Sequence, residues 1–272
     1  MTAHSRNFLA VSVIEALGLA LAAAAAGGIN AVAGGGTLVT FPTLMAFGTP
    51  AIVANTTSTM ALVLGTSGSV FSYRKHLPPV KRMLWLFTPP SIVGGFIGSW
   101  WLTRTSDKTF AQLVPFLILF ATILFLFQGA LRHLQLIRMN EPGATPRGWR
   151  LGAALIFQLL IAIYGGYFGA GIGILMLASL GFLGLSNIHE MNTVKTAIGS
   201  LINIVAAIYF MGAGLIDWPK AGVMTVGAVI GYFLGAHFSQ QISQSAVRIL
   251  ITIIGFMISA WTFYEQFVAP HK

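Results

Sequence analysis

A lysine inside apolar sequence is expensive, and by default it marks a functional site. Lys195 lies about two helical turns beyond Ile188, within a hydrophobic run that extends to Met211. Its ammonium group offers three donors and no acceptor, which suits an anionic oxygen. The competing readings are snorkelling to the interface or a pair with Glu190, although residues five apart do not face each other well on one helix. Around it Asn192, Thr196, Gly199 and Asn203 recur at i, i+4, i+7 and i+11, one stripe on a helix. A second stripe, Asn55, Thr59, Thr66, Ser69 and Tyr73, recurs at i, i+4, i+11, i+14 and i+18. Such stripes can line a substrate path, or their hydroxyls can bond back to helix carbonyls and join helices. Acids are few: Glu15 within the first apolar run and Glu190, beside His189, are the candidate proton-coupling groups. Asp107, Glu141, Asp217 and Glu265 fall at loops or helix ends and read as solvated.

Enzymatic constellations are missing. There is no Cys for a disulfide, thiolate metal site or redox pair, no His pair at metal-binding helical spacing, and no Ser-centred nucleophile elbow. Gly34, Gly35 and Gly36 precede no phosphate-loop lysine, so a nucleotide site is not supported. Neither a catalytic site, a metal nor a cofactor is expected.

The elements that must position these groups are membrane helices. Hydrophobic residues make up 56% of the chain and charged residues 8%, against roughly 25% charged in a soluble domain. The net charge of +9 is gathered between apolar runs, which reads as a topology signal and not as a nucleic-acid surface. Spans of about 20 residues are expected at Phe8 to Ala26, Ala51 to Tyr73, Met83 to Leu102, Phe110 to Leu131, Trp149 to Tyr164, Ile188 to Met211, Lys220 to Phe238 and Ala246 to Phe267. The first run is too long for a signal-peptide core and is expected to be retained. Two shorter segments, Thr37 to Phe47 and Ile174 to Leu185, each follow a glycine-rich break, Gly27 to Pro42 and Gly165 to Gly173. Irregular backbone at membrane depth survives only where protein buries it or it lines a cavity. Asn30, Gly34, Gly35, Gly36 and Thr37 in the first break, and Gly169, Gly171 and Gly173 in the second, are therefore candidate substrate-binding positions.

Subtraction supports an internal duplication. Asn55 and Asn192, Thr59 and Thr196, Gly94 and Gly231, and Gly98 and Gly235 are each 137 positions apart. The expected organisation is a first membrane repeat at 1–131, a polar cytoplasmic linker at 132–148 and a second repeat at 149–272. Arg74, Lys75, Lys81 and Arg82 in one loop and Arg132, Arg138, Arg147 and Arg150 in another should face the cytoplasm. The expected arrangement has each short segment completing its broken neighbour, which gives about eight crossings with both termini inside; the alternative is a re-entrant or ten-segment topology. If the short segments cross or re-enter, the halves become inverted repeats. Gly94, Gly98, Gly227, Gly231 and Gly235 stand at four-residue spacing and predict close helix packing.

The stretch GGINAVAGGGTLVTFPTLMAFGTPAIVANTTSTMALVLGTSGSVFSYRK resembles the first-half signature of the sulfite exporter TauE/SafE-like family. GGYFGAGIGILMLASLGFLGLSNIHEMNTVKTAIGSLINIVAAIYF resembles that family's repeat, so the similarity covers nearly the whole chain. The resemblance implies a bacterial permease for sulfite, organosulfonates or other small anions, multi-pass in the cytoplasmic (inner) membrane. It supports Gly34, Gly35, Gly36 and Pro42, then Asn55, Thr56 and Ser58, and in the second half Gly169, Gly171, Gly173, Asn192, Thr193 and Lys195. No Pro follows Gly173 where the first half has Pro42, so unequal contributions from the halves are expected. The expectation is an all-α polytopic secondary transporter working by alternating access, with a passive anion channel as the alternative. Its partners would be a small anionic substrate, the lipid bilayer and a coupling proton or other ion, with the oligomeric state, a homodimer included, left open.

Overall fold

The computed structural model describes residues 11–32, 35–72, 77–138, 149–183, 185, 187–238 and 244–268, and among them ten α-helices lie near the expected apolar runs, several with shifted ends. They are α1 (Val13–Val32), α2 (Thr37–Ala46), α3 (Ala51–Ser72), α4 (Leu77–Arg104), α5 (Asp107–Arg138), α6 (Trp149–Tyr167), α7 (Ile172–Phe182), α8 (Ile188–Gly212), α9 (Trp218–Phe238) and α10 (Gln244–Phe263), ending in a π-helical turn. No strand occurs among the described residues. Eight helices have 19 or more residues, the length that the roughly 30 Å apolar layer of a bilayer requires. Four stretches among the described residues, Val13–Ala31, Asp107–Phe127, His189–Gly212 and Ala246–Val268, are both long and apolar enough to cross it; α2 and α7 are about half that length. Large apolar side chains such as Trp85, Phe96, Trp101, Phe233 and Trp261 cover the outside, as lipid contact requires. The protein is an all-α polytopic membrane protein. Gly34, Tyr73 and residues 139–148 of the linker lie outside the described residues.

The first break is shorter than the glycine pattern predicts. α1 does not end at Gly27 but continues through Gly28 to Val32, and α6 likewise passes through Gly165 and Gly166. These glycines cost each helix roughly 1 kcal/mol apiece relative to Ala. Close packing offsets that cost. A Cβ at Gly27 would collide with the Ala228 carbonyl of α9, and one at Gly166 with Gly95 of α4. The glycines at four-residue spacing complete two such seams. Gly227, Gly231 and Gly235 meet Ala20, Ala24 and Gly28, while Gly94 and Gly98 meet Ala162 and Ile163. Numbers rise together along both seams, so α1 lies parallel to α9 and α4 parallel to α6.

Contacts also set the direction of every other element. Gly36 at the start of α2 touches the Ala26 carbonyl, whereas Phe47 at its end reaches Gly18, so α2 runs back alongside α1. Lys220 then bridges Glu15 of α1 and Thr49 before α3, placing both at one face, here the first face. Ile52 N donates to Asp107 at 2.9 Å, Thr56 donates to the Leu215 carbonyl at 2.6 Å, and Ser259 donates to the Pro115 carbonyl at 3.1 Å. Thus α1, α3, α5 and α9 leave the first face, and α4, α6, α8 and α10 run towards it. The first half of the chain, α1 to α5, starts at the first face and the second half, α6 to α10, at the opposite, second face. This corrects the expected eight-crossing arrangement in favour of its alternative, inverted halves with re-entrant short helices, because α2 turns back along α1 instead of completing it. The halves exchange partners, since the first helix of each packs on the fourth of the other.

Candidate functional site

Both breaks come to the middle of α5. Gly35, at φ +96°, faces the Phe125 ring, and Gly171, at φ +80°, lies against Ala121 and Leu124. A side chain at either position would be strained by its left-handed backbone. These turns aim the N-termini of α2 and α7 at a shared cavity of about 140 Å³, several times the roughly 10–15 Å³ one water needs. First-turn N–H groups have no acceptor within their own helix, and the peptide dipoles add partial positive charge there. In the first break the Gly36 N–H is taken up by the Asn30 side chain at 2.7 Å, which ties the end of α1 to the start of α2.

The walls carry both polar stripes in matching register. From α3 come Thr59, Leu62 and Thr66; from α8 come Thr196, Gly199 and Asn203, each 137 positions later. Asn30, Gly35 and Thr37 contribute from the first hairpin, and Gly169, Gly171 and Gly173 from the second. Lys195 is the cationic member, its methylene chain lying over Gly173, and no carboxylate pairs with it among the described residues. The lining includes neither a carboxylate nor a histidine. Such a set can hold an anion.

Several expected site residues lie off the cavity. Asn55 is buried and donates to the Tyr167 carbonyl at 3.0 Å, at the end of α6. Thr56 donates to Leu215, and Ser58 shares a 2.6 Å hydrogen bond with Thr40 of α2. Thr193 bonds back to the His189 carbonyl at 2.7 Å. Asn192 is half-exposed and makes no side-chain hydrogen bond among the described residues. Gly36 is buried beside the cavity. Glu15 pairs with Lys220 at 2.7 Å on the first face, and Glu190 accepts from Asn187 at 3.2 Å at the exposed start of α8. Neither acid reaches the cavity.

Sequence reasoning missed Phe125, Phe168, Ser200 and Tyr232, all lining residues. Ser200 has no polar counterpart, since Val63 occupies its place in the first half. Tyr232 gave one signal, a hydroxyl next to the glycine stripe of α9.

Towards the first face the cavity is closed. Phe168 meets Phe41 edge-on at 5.5 Å, Phe110 adds to both, and Thr57 accepts from Asp217 N at 3.0 Å.

An anion-compatible cavity held between inverted, interlocked membrane halves is the architecture of a membrane-transport protein. Comparison with known proteins agrees. The family profile described as "Sulfite exporter TauE/SafE" matches residues 19–262, and the chain belongs to that family. A "Probable membrane transporter protein" of Haemophilus influenzae (strain ATCC 51907 / DSM 11121 / KW20 / Rd) is 30% identical over 244 residues, 88% of this chain and 90% of that relative. The "Probable membrane transporter protein YfcA" of Escherichia coli (strain K12) is 25% identical over 244 residues, 89% of this chain and 87% of that relative. The "Probable membrane transporter protein ORF9" of Sinorhizobium sp is 24% identical over 246 residues, 89% of each. No solved structure matches significantly.

Proposed function

We propose that this membrane transporter is a secondary permease that moves a small oxyanion, sulfite or an organosulfonate, across the bacterial cytoplasmic membrane. The observation that carries the reading is the convergence of two helix N-termini and Lys195 on one cavity free of carboxylates. A bound anion would gain the partial charges of the helix ends and the full charge of Lys195, while Thr and Asn side chains replace part of its water shell.

Alternating access is supported by unequal ends. At the first face, α3 is latched to the other half through Asn55, Thr56 and Thr57. At the second face, the counterparts on α8 are Asn192, Thr193 and Val194, and no cross-helix bond from them exists among the described residues. Rocking that released the first set and formed the second would reverse access. Helix ends at the second face carry Lys81, Arg82, Arg132, Arg138, Arg150 and Arg248, and those at the first face Arg104, Lys108 and Lys220, which makes the second face cytoplasmic.

The test is direct binding to purified full-length protein, with sulfite, thiosulfate, sulfoacetate, taurine and simple carboxylates as probes. The expected result is saturable binding of at least one anion that Lys195→Gln weakens at least tenfold. Unchanged binding in that variant would remove the proposed site. Counterflow in reconstituted vesicles would separate a carrier from a passive channel.

A further inference from the structure

The phenol O–H of Tyr232 is a buried donor without an acceptor among the described residues. The residue is 8% exposed and lines the cavity. It neighbours the Asn30 side chain, whose oxygen is taken by the Gly36 N–H and whose amide N–H can only donate to the phenol oxygen, so the phenol proton is left without an acceptor. Buried hydroxyls are costly unless a partner is found, so such a group within a binding cavity points to a ligand.

The ring is held in place on two sides. A Cβ at Gly65 of α3 would fall among the ring carbons, so only glycine there lets the ring lie across α3. Behind it, the backbone at Tyr232 packs on Gly27 in the α1–α9 seam. The inverted counterpart shows that this placement is specific to one half. Subtracting or adding 137 maps Tyr232 onto Gly95 and Gly65 onto Ile202, and Gly95 does pack against Ile202. Each half fills the contact with one large and one small residue, in opposite order. Only the α3–α9 contact brings a hydroxyl to the cavity.

We propose that Tyr232 is a substrate-binding residue, its phenol O–H donating to a second oxygen of the anion that Lys195 neutralises; this rests on the anion site above. Two donors on separate helices select an oxyanion with at least two acceptor oxygens, such as a sulfonate, sulfite or carboxylate, over a halide. A neutral donor adds recognition without a second positive charge.

Full-length protein would be titrated with sulfite, ethanesulfonate, acetate and chloride, comparing the parent protein with Tyr232→Phe, Gly65→Ala and Lys195→Gln. Tyr232→Phe keeps the ring and removes only the O–H. The expected result is an oxyanion affinity about tenfold to a hundredfold lower, the range for a hydrogen bond to a charged group, with no loss of thermal stability in the unliganded protein. Gly65→Ala, which displaces the ring, should give a similar loss. Tyr232→Phe binding oxyanions as tightly as the parent, while Lys195→Gln does not, would overturn the role of Tyr232 and leave the anion site standing. Unaltered binding in Lys195→Gln, or no oxyanion binding by the parent protein, would overturn both. A Tyr232→Phe protein that melts earlier without ligand and binds normally would make the residue structural, and the proposal would fall.

Discussion

The side-chain amide of Asn55 donates at 3.0 Å to the main-chain carbonyl of Tyr167, joining the third helix of one half to the broken end of the other half's first helix. Asn55 is buried and Tyr167 half-buried. Replacing Asn55 with Ala leaves that carbonyl without its donor, at a cost of about 1–3 kcal/mol. Thermal unfolding of Asn55→Ala should therefore occur at lower temperature. Anion affinity of the surviving folded protein should stay within about threefold of the parent, because Asn55 does not line the cavity.

The absence of cysteine makes single introduced thiols clean reporters of access. Asn192→Cys should react with a water-soluble thiol reagent added from the second face. Cysteine at its counterpart, Asn55→Cys, should resist reagent from either face in the resting protein. Equal protection of the two positions would contradict the unequal closure of the two ends.

Along the α1–α9 seam, Gly231 meets the Ala24 main chain with no room for a further carbon. Gly231→Val must force the helices apart, a displacement costing on the order of 1–3 kcal/mol or more. The measurable result is loss of a monodisperse peak in size-exclusion chromatography. Gly152→Val, at a glycine with open space around it, serves as the control and should leave the peak intact.

Glu15 is salt-bridged to Lys220 with both side chains largely buried, and Asp217 lies 3.9 Å from the same ammonium. Glu15→Gln should lower stability by about 1–2 kcal/mol, between the values for exposed and buried pairs. Since Glu15 is remote from the cavity, the pH profile of flux should keep its shape. A profile flattened by Glu15→Gln would restore this residue as a proton carrier.

Much of this architecture is visible in the sequence because bilayer physics is severe. Apolar length gives the long helices, and the glycine strings give the two breaks. The constant 137-residue offset correctly pairs Thr59 with Thr196 on opposite cavity walls. Glycine itself was ambiguous, since Gly27 and Gly165 serve helix packing while Gly35 and Gly171 turn the chain. Composition does not separate these roles; backbone dihedrals and neighbouring atoms do. Asn55 and Thr59 share a stripe one turn apart, yet one seals the protein and the other faces the cavity. That distinction depends on where the other half packs, which a helical repeat does not encode. Tyr232 was hidden because its helix is apolar throughout and its role depends on Gly65, a residue of another helix.

The parallel seam between α1 and α9 has a consequence for how the protein is made. The partner of α1 leaves the ribosome only after about 200 more residues have been synthesised. Until then the small-residue face of α1, from Ala20 to Gly28, has no α9 to close upon and must be covered by lipid or by an insertion factor. The α4–α6 seam closes much earlier. Assembly therefore has a built-in late step, and truncation before α9 should leave a membrane-inserted chain that quality-control proteases recognise.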